Sequence, residues 1–172
     1  VRMTADALLA LKRLPEARQT VDMLLTLQPD NRQYLLLAAR LDLEQGKTEQ
    51  ALTYLRKLRQ QKNLDKEAAV AMAKALAQRG DKDEAAETIT PFADAEPNSV
   101  ELNTLAGTLQ LDAGHHDRAA TLLARAVAAS AGKVAEPQFQ WGRLAFATGE
   151  TNAGVMRVRQ AIALDPLAHE YR

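Results

Sequence analysis

The chain has 172 residues, with 22 Lys plus Arg against 22 Asp plus Glu and no cysteine. A net charge of zero removes any bulk electrostatic pull toward nucleic acid or an anionic membrane, and the missing cysteines exclude disulfides and thiolate metal sites. Hydrophobic residues make up 47% but aromatics only 4%, and the abundance of Ala and Leu is the composition of helices rather than sheets.

The first seventeen residues, VRMTADALLALKRLPEA, read as an amphipathic helix with charges throughout and not as a signal peptide. The chain opens in mid-pattern without a start methionine, so an excerpt of a longer protein is expected. Pro29-Asp30 stops the helical pattern that follows. From Tyr34 to Gln45 the apolar residues Leu36, Leu37, Ala39 and Leu43 recur at helical spacing. Gly46 can end that helix in a left-handed cap, Lys47–Gln50 turns the chain, and Ala51, Leu52, Leu55 and Leu58 form the inner stripe of a second helix. No apolar run approaches the roughly 18 residues of a membrane span, so no direct membrane insertion by this segment is expected.

The same arrangement then returns. EQGKTEQAL (44–52) comes back as QRGDKDEAA (78–86), DAGHHDRAA (112–120) and ATGETNAGV (147–155). Gly46, Gly80, Gly114 and Gly149 recur at intervals of 34, 34 and 35 residues, and Ala51, Ala85, Ala119 and Gly154 keep step with them. Pro29, Pro97 and Pro166 mark the far ends, with Asn63 standing in one proline's place, and the extra residue falls in SAGKVAEP, 130–137. A fixed period of this size signals a solenoid. The small residue after each turn lets two antiparallel helices cross closely.

In these features the chain resembles the tetratricopeptide repeat family, whose 34-residue helix–turn–helix carries small residues where helices cross and a closing proline. Trp141-Gly142 matches the start of the repeat. Ala38-Ala39, Met72-Ala73 and Ala106-Gly107 hold the same small pair elsewhere, and Leu55, Ile89, Leu123 and Val158 fill its aromatic column with aliphatics. The resemblance implies an all-α, right-handed superhelical solenoid of about five repeats forming a single domain. Its units are a partial 1–31, then 32–65, 66–99, 100–134 and 135–168. Asp42 and Gln110 depart from the pattern where the family places tyrosine. Gly154 replaces an alanine, and Pro91 should kink or end its helix.

No catalytic arrangement is legible. There is no phosphate loop, no G-x-S-x-G and no cysteine nucleophile, so no enzyme activity and no cofactor are expected. His115-His116 reads as a polar turn rather than a metal site, because adjacent histidines do not share a helix face. Trp141 reads as core rather than as a stacking platform.

In the family the first helices line a concave groove, and equivalent residues form columns along it. One column is Leu36, Val70, Thr104 and Phe139. A second is Arg40, Lys74, Thr108 and Arg143, a third Leu43, Ala77, Leu111 and Phe146, and a fourth Gln33, Glu67, Glu101 and Glu136. An apolar floor, a basic row and an acidic edge suit a protein or peptide segment with an acidic group. The residues expected to bind it are Leu36, Arg40, Leu43, Lys74, Thr104, Thr108, Leu111, Phe139, Arg143 and Phe146. A chaperone-type carboxylate clamp is argued against, because its places hold Leu36, Arg40, Ala71, Glu101 and Leu105. The expected function is therefore a non-enzymatic interaction scaffold with no nucleic-acid partner. The alternatives are a regulatory segment fused to an enzyme outside this stretch, and a structural spacer or self-association module. End-to-end contacts would follow from apolar surface left at the ends, with Met3, Leu8 and Leu11 partly uncovered. The Ala/Gln/Arg-rich, cysteine-free style is similar to bacterial tetratricopeptide proteins, and favours the periplasm, in a cell-envelope or secretion assembly, over the cytoplasm.

Overall fold

The computed structural model describes residues 7–9 and 11–169. Residues 7–9 are helical, and among the described residues nine further α-helices follow: α1 (Leu14–Leu27), α2 (Arg32–Glu44), α3 (Thr48–Gln60), α4 (Lys66–Arg79), α5 (Lys82–Ala95), α6 (Val100–Asp112), α7 (His116–Ala129), α8 (Ala135–Ala147) and α9 (Thr151–Leu164). No strand occurs among the described residues, and no helix among them is long and apolar enough to cross a membrane. The chain divides into two compact units, 1–81 and 82–172.

The punctuation of the sequence acts through side-chain caps and left-handed turns. Asn31 Oδ1 accepts the amides of Gln33 (3.0 Å) and Tyr34 (3.4 Å) at the start of α2. Asp65 does the same for Ala68 (3.1 Å) at α4, and Ser99 for Leu102 (3.3 Å) at α6. Such a cap contributes about 1 kcal/mol. At the other end of α2, Gly46 takes φ +71°. Its amide donates to Leu43 O (3.0 Å) and the Lys47 amide to Asp42 O (2.7 Å), a closure that needs a left-handed residue. Gly80, Gly114 and Gly149 repeat this sign of φ at the periodic positions.

In the first unit Ala51, Leu52, Leu55 and Leu58 of α3 are fully buried, as their spacing requires. Leu8, Leu9, Ala17, Val21 and Leu24 gather with Leu37, Ala38 and Leu41 of α2. The expectation for Leu8 is thereby corrected: it is buried by α1 and α2, while Leu11 stays 68% exposed. Met3 lies outside the described residues.

Asp42 of α2 is 0% exposed. Arg18 of α1 donates to its Oδ1 at 2.7 Å and also contacts Asp22 (2.8 Å) and the Tyr54 hydroxyl (3.4 Å), while Asp42 Oδ2 has no partner. Burial pushes the Asp42 carboxyl above its ordinary range, against the opposing pull of Arg18. Burial opposes the charge on Arg18, but its bonds to Asp22 and Tyr54 and the charges of Asp42 and Asp22 outweigh that and hold it firmly protonated.

In the second unit Leu111, Ala119, Leu123 and Leu144 form a core cluster, with Trp141 packed against its edge. Trp141 is therefore only half-buried, and the Arg157 guanidinium lies 5.0 Å from its ring centre, a cation–π distance. Helix α5 passes through Pro91 and continues to Ala95. The proline does not end it, because Glu87, whose carbonyl loses its i+4 donor, and Pro91 are both exposed, so water can serve that carbonyl. Gln110, at the repeat position held by Asp42 in the first unit, is buried but neutral. Its amide donates to Thr90 Oγ1 (2.9 Å) and its carbonyl accepts from His115 Nδ1 (2.7 Å). His115 Nε2 lies 3.5 Å from Asp83, so one member of the histidine pair ties the turn to α5 and α6.

The crossings in the second unit are tight. A Cβ built at Gly107 would meet Leu123 Cγ at 2.8 Å, and one at Gly142 would meet Val158 Cγ2 at 2.8 Å and Gly154 O at 3.2 Å. At Gly154 it would meet the Phe146 ring at 2.8 Å. Val155, Met156, Leu164 and Leu167 are exposed at the end of this unit.

Candidate functional site

Helices α2 and α4 supply the candidate wall of the first unit. Leu36 is buried and forms part of the floor, Leu43 is half-buried, and Arg40 and Lys74 are exposed. Arg40 Nη1 lies 3.3 Å from Glu67 Oε1 at the start of α4, so the basic row and the acidic edge meet in an exposed pair. Such pairs are worth about 0–1 kcal/mol, and Arg40 can exchange Glu67 for another anion at small cost. Lys74 has no ionic partner among the described residues.

Helices α6 and α8 supply the wall of the second unit, and its side chains are more committed. Thr104 is buried and its hydroxyl donates to Val100 O (2.7 Å); Thr108 donates to Thr104 O (2.8 Å). Both threonines are thus satisfied along their own helix. Leu111 is buried against Ala119, Leu123 and Leu144 rather than displayed. Arg143 forks between Asp112 Oδ1 (2.8 Å) and Gln140 Oε1 (2.7 Å), and Gln140 in turn donates to Glu136 Oε1 (2.5 Å). Phe139 is half-buried, and Phe146, 45% exposed, lays its ring over Gly154.

The ten expected residues therefore fall into different kinds. Leu36, Thr104 and Leu111 are floor or core. Arg143 is held by two partners, and Arg40 by one weak one. Leu43 and Phe139 are half-buried, Thr108 is bonded along its own helix, and Lys74 and Phe146 are exposed. The columns were legible as rows, but the Arg40–Glu67 tie runs between columns of adjacent repeats, 27 residues apart. Among the described residues no three His, Cys, Asp or Glu side chains gather as a metal site.

Residues 42–107 match the tetratricopeptide repeat family profile. No curated protein matches the chain. Among solved structures the chain is similar to YrrB, described as a TPR protein with an unusual peptide-binding site, at 15% identity, covering 97% of this chain and 85% of that one with a TM-score of 0.83. It is similar to MamA at 16% identity, covering 97% of each chain with a TM-score of 0.81. It is also similar to TTC0263, a thermophilic TPR protein of Thermus thermophilus, at 19% identity, covering 99% of this chain and 92% of that one with a TM-score of 0.69. At these identities the likeness is one of fold.

Proposed function

The chain carries tetratricopeptide repeats from Asp42 to Gly107 and has the fold of such proteins, and from that premise we propose that it is a non-enzymatic interaction scaffold holding a segment of a partner protein on the wall of its first helices. The observation that carries this reading is Lys74, an exposed cation without an ionic partner among the described residues, beside an Arg40 that only a surface pair engages. Cations left over by the fold can receive a carboxylate, and the Leu36 floor with half-buried Leu43 receives apolar side chains. The peptide-binding site named for YrrB lends support by analogy of fold. Phe139, Arg143 and Phe146 extend the same reading to the second unit. A bacterial cell-envelope or secretion assembly is the setting that the resemblance to bacterial tetratricopeptide proteins implies.

The test begins with a photo-crosslinking residue at position 74, and with a second at exposed Thr121 of α7 as the control. Position 74 should trap a defined partner segment and position 121 should not. Reversing Arg40 and Lys74 to glutamate should then weaken binding of that segment and flatten its salt dependence, with the helical signal unchanged. Loss of charge-assisted contacts predicts about 1.5–3 kcal/mol. Capture at position 121 instead, with affinity untouched by the double reversal, would move the interaction to the second helices.

A further inference from the structure

A second feature of the first unit plays no part in the first-helix wall. Between α1 and α3 lies a groove of about 700 Å³, lined by Leu25, Pro29, Leu35, Tyr54, Arg56 and Lys57, with Thr53 and Gln60 at its rim. That volume lies within the range of small-ligand and side-chain pockets. No acidic side chain lines it.

The repeats provide their own controls. In the second unit the corresponding places carry polar bonds. Where α2 has Leu35, α6 has Asn103, whose amide donates to the carbonyls of Glu96 (3.2 Å), Pro97 (3.1 Å) and Ser99 (2.8 Å). At the same place α8 has Gln138, whose carbonyl accepts from Arg157 (2.8 Å). Across the junction of α5 and α7, Asp94 receives both Arg118 and Arg125, the latter at 2.9 Å. Two repeats earlier, Lys57 stands in the place of Arg125, but Thr26 stands in the place of Asp94. The acid that bridges the two second helices is missing. Lys57 turns to Asp30 (2.8 Å) and the Pro29 carbonyl (2.9 Å) in the adjacent turn. Arg56 has no ionic partner among the described residues.

The geometry points to a second docking site in this groove, for an acidic segment of a partner protein that sets an apolar side chain against Leu25, Leu35 and Tyr54 and a carboxylate on Arg56, a cation that no acid of the groove lining engages. The apolar floor gives burial, and a guanidinium in a half-buried groove gives a charge-assisted bond with a preferred sign. The site does not depend on the first-helix wall.

The probe is an acetylated, amidated peptide, Gly-Glu-Leu-Asp-Leu-Glu-Gly, with a counterpart carrying lysine at the three acidic places. In amide NMR of the full chain, the acidic peptide should shift Leu25, Thr53 and Gln60 saturably, and the lysine peptide should not. Arg56→Glu should weaken binding by about tenfold or more, the worth of one charge-assisted bond. Thr26→Asp, at an exposed position next to the groove residue Leu25, adds a negative charge beside the groove and should weaken the acidic peptide by repulsion while the fold persists. The inference is overturned if both peptides bind alike, if Arg56→Glu and Thr26→Asp leave affinity unchanged, or if shifts gather around Arg40 and Lys74 alone. It is equally overturned if concentrating the protein without peptide produces the same shifts, since a second copy would then be the occupant. Lys74→Glu should leave the groove shifts intact while weakening partner binding on the first-helix wall, so the two sites fail separately.

Discussion

The two compact units solve the same packing problem with different residues at matching repeat positions. Where α2 and α4 of the first unit have Ala39 and Ala73, α6 and α8 of the second have Gly107 and Gly142. Where α2 has the buried charge Asp42, α6 has the buried neutral Gln110. The first unit holds its hairpins with an ion pair whose carboxylate leaves one oxygen unserved. The second unit leaves no room for a Cβ at its glycine crossings and uses neutral hydrogen bonds inside, keeping its Asp94 ion pairs partly in water. A buried ion pair is weak evidence of stability but costly to break from one side. The first unit should thus be the electrostatically fragile part, and the second the sterically strict one.

The largest expected effect comes from Arg18→Ala, which strands Asp42 without a counter-charge. About 3 kcal/mol should be lost near neutral pH, at the lower end for breaking a buried pair because Arg18 is partly exposed. The pH dependence has a definite sign. Asp42 titrates above its ordinary 3.8 in the folded chain, so its stabilising share is complete below that value and is lost as pH rises through the raised one. Asp22 and Lys47 remain around it in the variant, and without Arg18 the carboxyl rises further. Urea melts from about pH 7 to about pH 4 should show the deficit shrinking on acidification. A deficit that is constant with pH would mean that Arg18 acts by packing alone.

Gly107→Ala gives the second unit the residue of the first. Its Cβ would stand 2.8 Å from Cγ of the fully buried Leu123, and about 1–3 kcal/mol of overpacking should exceed the roughly 1 kcal/mol gained in helix propensity. Gly154→Ala makes a fair contrast. The obstructing atoms there belong to the Phe146 ring, which is 45% exposed and can swing into water, so thermal melts should show little net change. Equal destabilisation by both substitutions would mean that Phe146 is pinned in place.

The smallest effect expected is that of Gln110→Leu. Thr90 is only partly buried and His115 is exposed, so both can turn to water, and the loss should be about 1 kcal/mol without the acid dependence of the Arg18 variant. A loss as large as that of Arg18→Ala would erase the distinction between the units.

The helix pattern was readable because its signals are local. A glycine every 34 or 35 residues and a stripe such as Ala51, Leu52, Leu55 and Leu58 act within one or two turns of chain, and each did so where it stood; the caps at Asn31 and Asp65 are equally local but were not among the features read. Pro91 is decided locally as well: its helix does not end there, since the Glu87 carbonyl can reach water. The candidate wall was legible only as columns. That Arg40 and Arg143 would be engaged while Lys74 is left over depends on how far neighbouring hairpins slide past one another, and no spacing within one repeat contains that distance.

The sequence by itself therefore determined the period, the two-helix unit, the turns and the residues at each crossing, because propensity, capping and hydrophobic spacing are properties of contiguous chain. Only the tertiary structure decided that Asp42 would be sealed against Arg18, that Leu8 would be covered, and that a groove without an acidic side chain would lie beside Arg56. In each case the outcome turns on the distance between side chains on different helices, and packing alone sets that distance.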